Sequence, residues 1–483
     1  MARLPISSVA PQYQRQPSPA ATARPAQTPT QQAPAPAAEA ESIPENLVKP
    51  WKLPPQKTYI LHNANVIDAA NGVVLRNQTV KLSNGTIESV GDGRYTTVSS
   101  SDIVVDLEGR YLCPGLIDCH VHLTAVAGEA SLDLNSSDMA VSYFRQPFLC
   151  QQVLSRGFTT VRDTGGATLA LKEALADDVF PGPRLFIANK AISQTGGHGD
   201  MRKAHEGGDT CCGGNIEGGI SLVADGVPAC LVAARNQLRR GADFIKIMVG
   251  GGVASPTDRL ENTQFTADEI RAIADVADSY GTHVTAHAYT TKAIRHAVDN
   301  GVRGIEHGNL VDADTARYMA ERGVWLTPTL VTYQAMGEDK YSDFLPPANQ
   351  AKNQDVLARG LESLRIAHEA GVTICHGSDL LGPLQAEQCR EFGIRAGALS
   401  SKVILQGATV NAAKMLYKED FLGQVKEGFA ADLIVLNKNP LEDVTILDEP
   451  EKNVMVVIKN GRVYTSRWQK LPEDVAKARR TIA

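Results

Sequence analysis

Two histidines, His120 and His122, end an apolar run near the start of the central part of the chain. Residues two apart on a β-strand face the same side, so both imidazoles project together. At that spacing they can share one divalent metal ion, with about 2.0–2.1 Å to each ring nitrogen. Such a pair alone fits a structural role equally well, so a metal site requires further ligands nearby.

Four more polar residues, Lys246, His287, His307 and Asp379, end or follow predicted strands. Taken singly, a histidine at a strand end is typical of a structural residue. In a barrel of parallel strands, however, catalytic groups come from the carboxyl ends of several strands and converge on one face. Six such groups spread over the ends of several strands therefore predict one shared site.

Lys246 is an unsuitable metal ligand in its ordinary charged form, because a protonated amine beside metal ions would be strongly repelled. A buried lysine loses its charge readily, and a neutral amine can take up carbon dioxide as a carbamate. The carbamate is an anionic ligand whose two oxygens can bridge two metal ions. The alternative is an ordinary lysine paired with a nearby carboxylate such as Asp243.

The elements that must position these residues lie in residues 114–419, where apolar runs alternate with helical stretches. Eight such runs indicate an α/β protein with a (β/α)8 TIM barrel. A doubly wound open sheet is the competing layout, but no Gly-x-Gly-x-x-Gly sequence follows the first strand to support it. The predicted strands are 115–122, 158–162, 184–188, 244–249, 283–288, 304–307, 325–330 and 372–376. The predicted helices include 267–280, 290–300, 312–322 and 356–370.

Short strands with hairpin turns flank this region on both sides. Asn84-Gly85 and Asn460-Gly461 are typical of tight turns between antiparallel strands. We therefore expect a small β-sandwich domain built from both chain ends, residues 56–113 and 420–470.

The two termini differ from the rest of the chain. Residues 1–55 are rich in proline, alanine and glutamine, and they cannot bury enough apolar area to offset the entropy of ordering, so a disordered tail is predicted. Arg3, Arg15 and Arg24, with no acidic residue before Glu39, leave a transit peptide as an alternative. A second short tail is expected at 471–483.

Composition excludes several classes of protein. The balance of 48 Lys+Arg against 54 Asp+Glu gives a net charge of −6 without a basic block, which argues against nucleic-acid binding. No run approaches the roughly 18–20 apolar residues that span a bilayer, so a cytoplasmic protein is expected. Eight scattered cysteines do not indicate a disulfide scaffold, and Cys211-Cys212 lack metal-binding spacing and are predicted to be free thiols.

Several longer motifs resemble those of the amidohydrolase superfamily, and the resemblance covers nearly all of residues 58–465. Within it, the chain is most similar to the ochratoxin-degrading amidohydrolases of fungi and to bacterial Xaa-Pro and Xaa-Arg/Lys dipeptidases. The motifs are Pro-Gly-Leu-Ile-Asp-Cys-His-Val-His (114–122), Ser-Gln-Thr-Gly-Gly-His-Gly-Asp (193–200), Ile-Lys-Ile-Met-Val-Gly-Gly-Gly-Val (245–253), Glu306-His307, Gly377-Ser378-Asp379 and Glu-Gly-Phe-Ala-Ala-Asp-Leu-Ile-Val (427–435).

The resemblance implies a homo-oligomeric enzyme with two divalent ions, expected to be zinc, and a small-molecule substrate. The implied reaction is the hydrolysis of an amide bond in N-acyl amino acids or dipeptides whose leaving group is a C-terminal amino acid. Metal-activated hydroxide would attack the carbonyl while Asp379 takes the proton and passes it to the leaving amine. The implied ligands are His120 and His122 for the more buried ion, His287 and His307 for the more exposed one, carboxylated Lys246 between them, and Asp379 on the first ion.

Two further residues are candidates for contact with the substrate. His198, in a glycine-rich loop, could reach a carbonyl oxygen or a substrate carboxylate, or could instead bond to backbone. Tyr289 points the same way as His287, and in the related dipeptidases a tyrosine after this strand contacts substrate. Loop residues that could receive the substrate carboxylate are Arg202, Lys203 and Arg259.

The remaining histidines are expected to be structural, with the facing of His376 left open. A rival function within the same superfamily is hydrolysis of a cyclic amide or lactone, as in imidazolonepropionase-like enzymes. A non-catalytic scaffold is the rival from another class, and the complete ligand set argues against it. The histidines expected to be structural are His62, His205, His283, His296 and His368.

Overall fold

A computed structural model describes residues 45–93, 96–128, 139–205 and 219–475 of the chain. The chain divides into two compact units, Met1–Pro50 and Trp51–Ala483. Of the first unit, only a short helix, α1 (Glu45–Val48), and the two residues after it are described. The predicted tails at 1–55 and 471–483 lie largely outside the described residues, and Cys211-Cys212 lie wholly outside them.

The larger unit is a mixed α/β fold. Its strands are β1 (Tyr59–Asp68), β2 (Val73–Ser83), β3 (Thr86–Gly91), β4 (Ile103–Asp106), β5 (Tyr111–Pro114), β6 (Leu116–Val121), β7 (Phe158–Asp163), β8 (Arg184–Ile187), β9 (Ala191–Ser193), β10 (Ser221–Val223), β11 (Ile245–Met248), β12 (Val284–Thr290), β13 (Gly304–Leu310), β14 (Trp325–Thr327), β15 (Thr373–Ile374), β16 (Leu433–Leu436), β17 (Val454–Lys459) and β18 (Arg462–Ser466). Its helices are α2 (Met139–Ser155), α3 (Leu169–Ala176), α4 (Val227–Arg239), α5 (Ala267–Ser279), α6 (Thr291–Asp299), α7 (Ala313–Glu321), α8 (Leu330–Met336), α9 (Pro347–Glu369), α10 (Glu391–Ala396), α11 (Ser401–Gly407), α12 (Val410–Met415) and α13 (Pro450–Asn453).

One sheet takes its strands from both ends of the chain, in the order β18-β17-β16-β5-β1-β2-β3, with β4 also beside β1. Its predicted hairpin turns are confirmed, because Asn84 and Gly85 between β2 and β3 both adopt positive φ, at 50° and 82°. The expectation of antiparallel pairing is wrong for β4, which pairs parallel to β1, while β5 pairs parallel to β1 and antiparallel to β16. The connection from β3 to β4 is too long to be a tight turn, so the chain can return in the direction of β1.

The middle of the chain forms two parallel sheets, ordered β10-β9-β11-β12-β13-β14-β15 and β6-β7-β8. The N–H of Cys119 in β6 donates to the carbonyl of His376 just after β15, at 2.8 Å. The N–H of Asp379 donates to the carbonyl of His120, also at 2.8 Å. The carboxyl ends of β6 and β15, which carry predicted site residues, therefore lie side by side.

Several predicted boundaries are wrong. The sequence analysis places no strand in the loop after 184–188, yet β9 and β10 are found there. The predicted strand 325–330 ends at Thr327, because Thr329 takes a left-handed φ of 49° and Leu330 begins α8. Helix α9 begins at Pro347 rather than at 356, and its proline fits there because the first turn of a helix needs no donor at that position.

Three other predicted helices agree closely with α5, α6 and α7. Helix α5 begins with a capping box, in which the Thr266 side chain accepts from the N–H of Glu269 and the Glu269 carboxylate accepts from the N–H of Thr266. None of the described helices is both long and apolar enough to cross a bilayer. Strand β11 is buried along its whole length, as expected for a parallel strand covered on both faces, which makes its one polar residue, Lys246, conspicuous.

Candidate active site

All eight residues that the sequence analysis assigns to the site line one cavity of about 70 Å³. Much of the remaining wall is apolar, with Met201, Met248, Met336, Ile220 and Leu381 among its residues. A cavity with an apolar wall and a few convergent polar groups is the usual form of a small-molecule site. The eight residues are His120, His122, His198, Lys246, His287, Tyr289, His307 and Asp379.

His120, His122 and Asp379 come together as a potential metal site, with one ligand atom from each within 4.8 Å of the others. Asp379 Oδ1 lies 3.2 Å from Nε2 of His120 and 3.1 Å from Nε2 of His122. Imidazole nitrogens and a carboxylate oxygen are the ligand types that zinc prefers. The chemistry of this donor set therefore fits a divalent transition metal.

The other ring nitrogen of each of these histidines is already engaged. Nδ1 of His120 lies 2.7 Å from Oε2 of Glu306, and Nδ1 of His122 lies 2.8 Å from the carbonyl of Gly165. A carbonyl can only accept, so His122 carries its proton on Nδ1. Both rings thus present Nε2 to Asp379, the arrangement expected of histidines that bind a metal.

His287 and His307 lie beside this group, with ring centroids 4.5 Å apart. Nε2 of His287 lies 3.1 Å from the carbonyl of Gly251, which leaves Nδ1 for a ligand. Nδ1 of His307 lies 2.7 Å from Oγ1 of Thr329 and 2.8 Å from the hydroxyl of Tyr333, which leaves Nε2. Each of the four histidines therefore has one ring nitrogen held by the surrounding structure. The other nitrogen faces Asp379 in His120 and His122, and it has no partner among the described residues in His287 and His307.

Two of the predicted ligands adopt left-handed backbone, with φ of 77° at His307 and 52° at Asp379. Such a conformation costs of order 1–3 kcal/mol in a residue with a side chain and is concentrated at functional sites. The turn at Asp379 is held by the buried carboxylate of Asp118, which accepts from the N–H of His120 and from the N–H of Ser378, each at 3.1 Å. One side chain thus fixes both ends of the His120–Asp379 contact.

Lys246 is 2% exposed and lies in the cavity wall, although it is the second residue of β11 rather than at the strand end as predicted. Within the described part of the chain it makes no hydrogen bond or ion pair. The alternative pairing with Asp243 is wrong, because that carboxylate binds Lys172 at 2.6 and 2.7 Å. Burial lowers the pKa of Lys246 to about 8.

Glu306 is a residue of the site whose role the sequence analysis missed, although it adjoins His307 in a quoted motif. Its carboxylate is fully buried and binds Arg162, Thr285 and Nδ1 of His120. Burial would raise its pKa, but the charges of Arg162 and His120 hold the pKa of Glu306 well below its usual range. An ionised carboxylate therefore stands behind His120.

His198 lies over His287, with ring centroids 4.0 Å apart. Its Nδ1 is 2.8 Å from the hydroxyl of Ser255, so the ring bonds to a side chain and not to backbone. The Tyr289 hydroxyl lies 2.9 Å from that of Tyr333. Tyr333 was not predicted from the sequence because it lies in α8, beyond the point where the predicted strand 325–330 gives way to a helix.

The remaining candidates lie apart from the cavity. Arg202 is bound to the Asp200 carboxylate at 2.7 and 2.6 Å. Neither Lys203 nor Arg259 belongs to the described cavity wall. His283 packs against Phe244 and Trp325, and His376 against Phe158 and Phe392, so both are buried among aromatic rings.

Comparison with known proteins shows which family the chain is similar to. The model of the amidohydrolase family matches residues 111–464. Ochratoxinase of Aspergillus niger is 30% identical over 421 residues, covering 83% of this chain and 85% of that protein. A prolidase structure in complex with N-methylphosphonate-L-proline is 41% identical, with a TM-score of 0.81 over 84% of this chain and 99% of the other. A Xaa-Pro dipeptidase structure with bound methionine is 29% identical, with a TM-score of 0.74 over 84% of this chain and 100% of the other.

Proposed function

Since this chain belongs to the amidohydrolase family, we propose that it is a metal-dependent hydrolase of N-acyl amino acids or dipeptides. It cleaves the amide bond and releases the C-terminal amino acid. The observation that carries this proposal is the convergence of four histidines, a buried lysine and an aspartate on one cavity, where Nε2 of His120 and His122 faces Asp379.

The residues that would hold two divalent ions, expected to be zinc, follow from these donor atoms. Two ions held there would supply a water molecule of lowered pKa and Lewis-acid polarisation of the amide carbonyl. Lys246 fits as a carboxylated bridging ligand, because no described residue pairs with its amine. The proposed ligands are His120 and His122 with Asp379 for one ion, His287 and His307 for the other, and Lys246 between them.

Asp379 is the proposed acid–base group. Its Oδ1 faces two histidine nitrogens at 3.1–3.2 Å, and its Oδ2 lies 3.9 Å from Nδ1 of His307, so the carboxylate stands in the middle of the polar groups. There it can take a proton from the attacking water and return it to the leaving amine, a role worth about 10²–10⁴-fold in rate. His198 and Tyr289 are the proposed contacts to the substrate.

The apolar wall supports a substrate with an apolar side chain. Met201, Met248 and Met336 line the cavity, and methionine adapts its shape to a range of apolar groups. The similar proteins fit this class, since they include a prolidase and a Xaa-Pro dipeptidase. We therefore expect apolar leaving residues to be favoured over charged ones.

The sheets that carry the site are proposed to close into a (β/α)8 barrel. The backbone bonds from Cys119 to His376 and from Asp379 to His120 support closure between β6 and the end of β15. A bond from the N–H of Asp243 to the carbonyl of Ile187, at 2.8 Å, joins β8 to the segment before β11. The domain limits 56–113, 114–419 and 420–470, the sandwich form of the small domain, the homo-oligomer and the cytoplasmic location stay predictions of the sequence.

The test is amino-acid release from N-acetyl-L-methionine, N-acetyl-L-phenylalanine, Leu-Pro and Leu-Arg by metal-loaded protein. Each substrate is paired with its C-terminal amide, which lacks the free carboxylate. We expect release from the apolar members and much less from the amides. Metal-loaded protein that releases nothing from any member, but opens imidazolonepropionate, would instead favour the cyclic-amide function.

A further inference from the structure

A series of buried, hydrogen-bonded polar groups leads away from His198. Nδ1 of His198 lies 2.8 Å from the hydroxyl of Ser255, and that hydroxyl is bonded to Oδ1 of Asp258. Ser255 is fully buried, and the Asp258 side chain is 1% exposed. Neither residue lines the cavity, so neither touches a substrate there directly, and both are connected to it through His198.

The partners of Asp258 show which group donates and which accepts in each of these hydrogen bonds. The other oxygen of Asp258, Oδ2, accepts from the N–H of Gly252 at 3.1 Å and from Nε2 of Gln264 at 2.9 Å. The Gln264 amide is oriented unambiguously, because its Oε1 accepts from the N–H of His198 at 2.9 Å. Lys352 Nζ is 3.8 Å from Oδ1, which adds a positive charge beside the carboxylate.

Donors thus face both oxygens of Asp258, so its carboxylate acts as an acceptor of hydrogen bonds. The single proton of the Ser255 hydroxyl goes to this closer acceptor in preference to the carbonyl of Gly252 at 3.2 Å. The Ser255 oxygen is then free only to accept, so the His198 ring must donate to it from Nδ1.

The loop that carries Ser255 and Asp258 is bound to α9 through the side chain of Lys352. Lys352 Nζ donates to the carbonyls of Asp258, Ser255 and Gly252, at 2.7, 3.1 and 3.2 Å. Gly252 also makes room for the ring, since a Cβ at that position would lie 1.9 Å from Nδ1 of His198. The two glycine-rich motifs noted in the sequence therefore meet at this contact.

We propose that Ser255 and Asp258 are positioning residues that hold His198 in the tautomer protonated at Nδ1, so that Nε2 presents a lone pair to an N–H group of the substrate. This inference rests on the proposed function for the identity of the substrate, but the tautomer itself does not. It replaces the expectation that His198 reaches a carbonyl or carboxylate oxygen, since an unprotonated Nε2 accepts rather than donates.

Asp258→Asn is the most informative test, because it reverses the direction of the hydrogen bonds between residue 258, Ser255 and His198 without removing them. The asparagine oxygen can still accept from Gly252 and Gln264, so its amide nitrogen faces Ser255 and donates to that oxygen. Ser255 must then donate to Nδ1, and the proton of His198 moves to Nε2. In a comparable triad, an acid-to-amide change that imposes the wrong tautomer lowers kcat by about 10⁴-fold.

With the fastest substrate of the panel, Asp258→Asn is expected to lower kcat by about 10²-fold or more and to change KM by less than about 3-fold. In a His198→Ala background the same change should lower kcat by less than about 3-fold, because there is no ring left to orient. Ser255→Ala should show the same dependence with a smaller loss, about 10-fold. Asp432→Asn and Ser363→Ala, buried polar changes elsewhere, are the matched controls and should leave kcat within about 2-fold.

An equal loss with and without His198, or full turnover of Asp258→Asn, would overturn the proposal. A second readout needs no substrate: ring ¹⁵N NMR of histidine-labelled protein, with His198→Asn to assign the signal. Wild type should be protonated at Nδ1 of His198 and Asp258→Asn at Nε2, whereas Nε2 protonation in wild type would contradict the inference. If no panel member is hydrolysed, the proposed function fails, and the NMR result still decides the tautomer.

Discussion

Nδ1 of His120 and Oε2 of Glu306 lie 2.7 Å apart, and the two side chains are 1% and 0% exposed. The carboxylate fixes the ring so that Nε2 faces Asp379, and it is itself held by Arg162. A partner of this kind orients a metal-binding histidine and raises its basicity. The proposed metal site therefore depends on a residue that is not itself among the proposed metal ligands.

Glu306→Gln should weaken metal binding, because the neutral amide cannot balance both His120 and Arg162. Loss of such a partner typically costs about 10–100-fold in metal affinity. The measurement is zinc competition against a chromophoric chelator, with the exposed Glu362→Gln as a matched control. An unchanged affinity in Glu306→Gln would show that the contact has no role in metal binding.

Asp379→Asn should depress turnover far more than substrate affinity, because its proposed work is proton transfer in the transition state. We expect kcat to fall by about 10²–10⁴-fold while KM stays within about 3-fold. Steady-state kinetics should be normalised to metal content, since Asp379 is also a proposed ligand, and the exposed Asp275→Asn serves as control. Full turnover of metal-loaded Asp379→Asn would remove Asp379 from the mechanism.

Lys246→Arg keeps a positive charge but cannot form a carbamate, so it should lose both bound metal and activity. Wild-type protein exchanged into ¹³C-bicarbonate should gain a carbamate signal in its ¹³C NMR spectrum, and Lys246→Arg should not. The surface variant Lys402→Arg should retain the signal. Wild-type protein that binds two metals without this signal would contradict a carboxylated lysine.

Asp448 provides a prediction on stability that is independent of the site. Burial raises its pKa to about 6, although its carboxylate accepts from the N–H of Gly393 at 2.9 Å. The folded state thus holds the proton more tightly than the unfolded chain, and the stabilisation present below pH ~3.8 is lost as the pH rises through 6. Because the site is only partly buried, we expect an effect of about 1 kcal/mol.

Asp448→Asn keeps the acceptor oxygen and abolishes this titration. Relative to the variant, wild type should lose about 1–2 °C in Tm between pH 4 and pH 7. Thermal unfolding of both proteins across that range measures the difference, and Asp275→Asn controls for general charge effects. A difference in Tm that does not change with pH would contradict the raised pKa.

The sequence was sufficient to predict the convergence of the site because the rule behind it is simple. Parallel strands bring their carboxyl ends to one edge, so His122, His287 and Asp379 could be placed together from strand order alone. Lys246 was predicted for the right cavity but the wrong place in its strand, since β11 continues to Met248.

The missed residues depend on backbone that sequence periodicity does not describe. Glu306 and His307 are consecutive, and on a regular strand they would face opposite sides. The φ of 77° at His307 breaks that alternation, so Glu306 reaches His120 while His307 lines the cavity. Thr329, at φ 49°, likewise turns a predicted strand into the helix that carries Tyr333.

The proposal that this protein is a metal-dependent amide hydrolase is tested most directly by measuring amide hydrolysis before and after metal removal. Purified protein is assayed for methionine release from N-acetyl-L-methionine, treated with chelator, assayed again, and then titrated with zinc while bound metal is counted. We expect chelation to abolish release and activity to return in step with up to two zinc ions per chain. Release that survives complete loss of metal would contradict metal-dependent amide hydrolysis, as would metal-loaded protein that hydrolyses no amide of the panel.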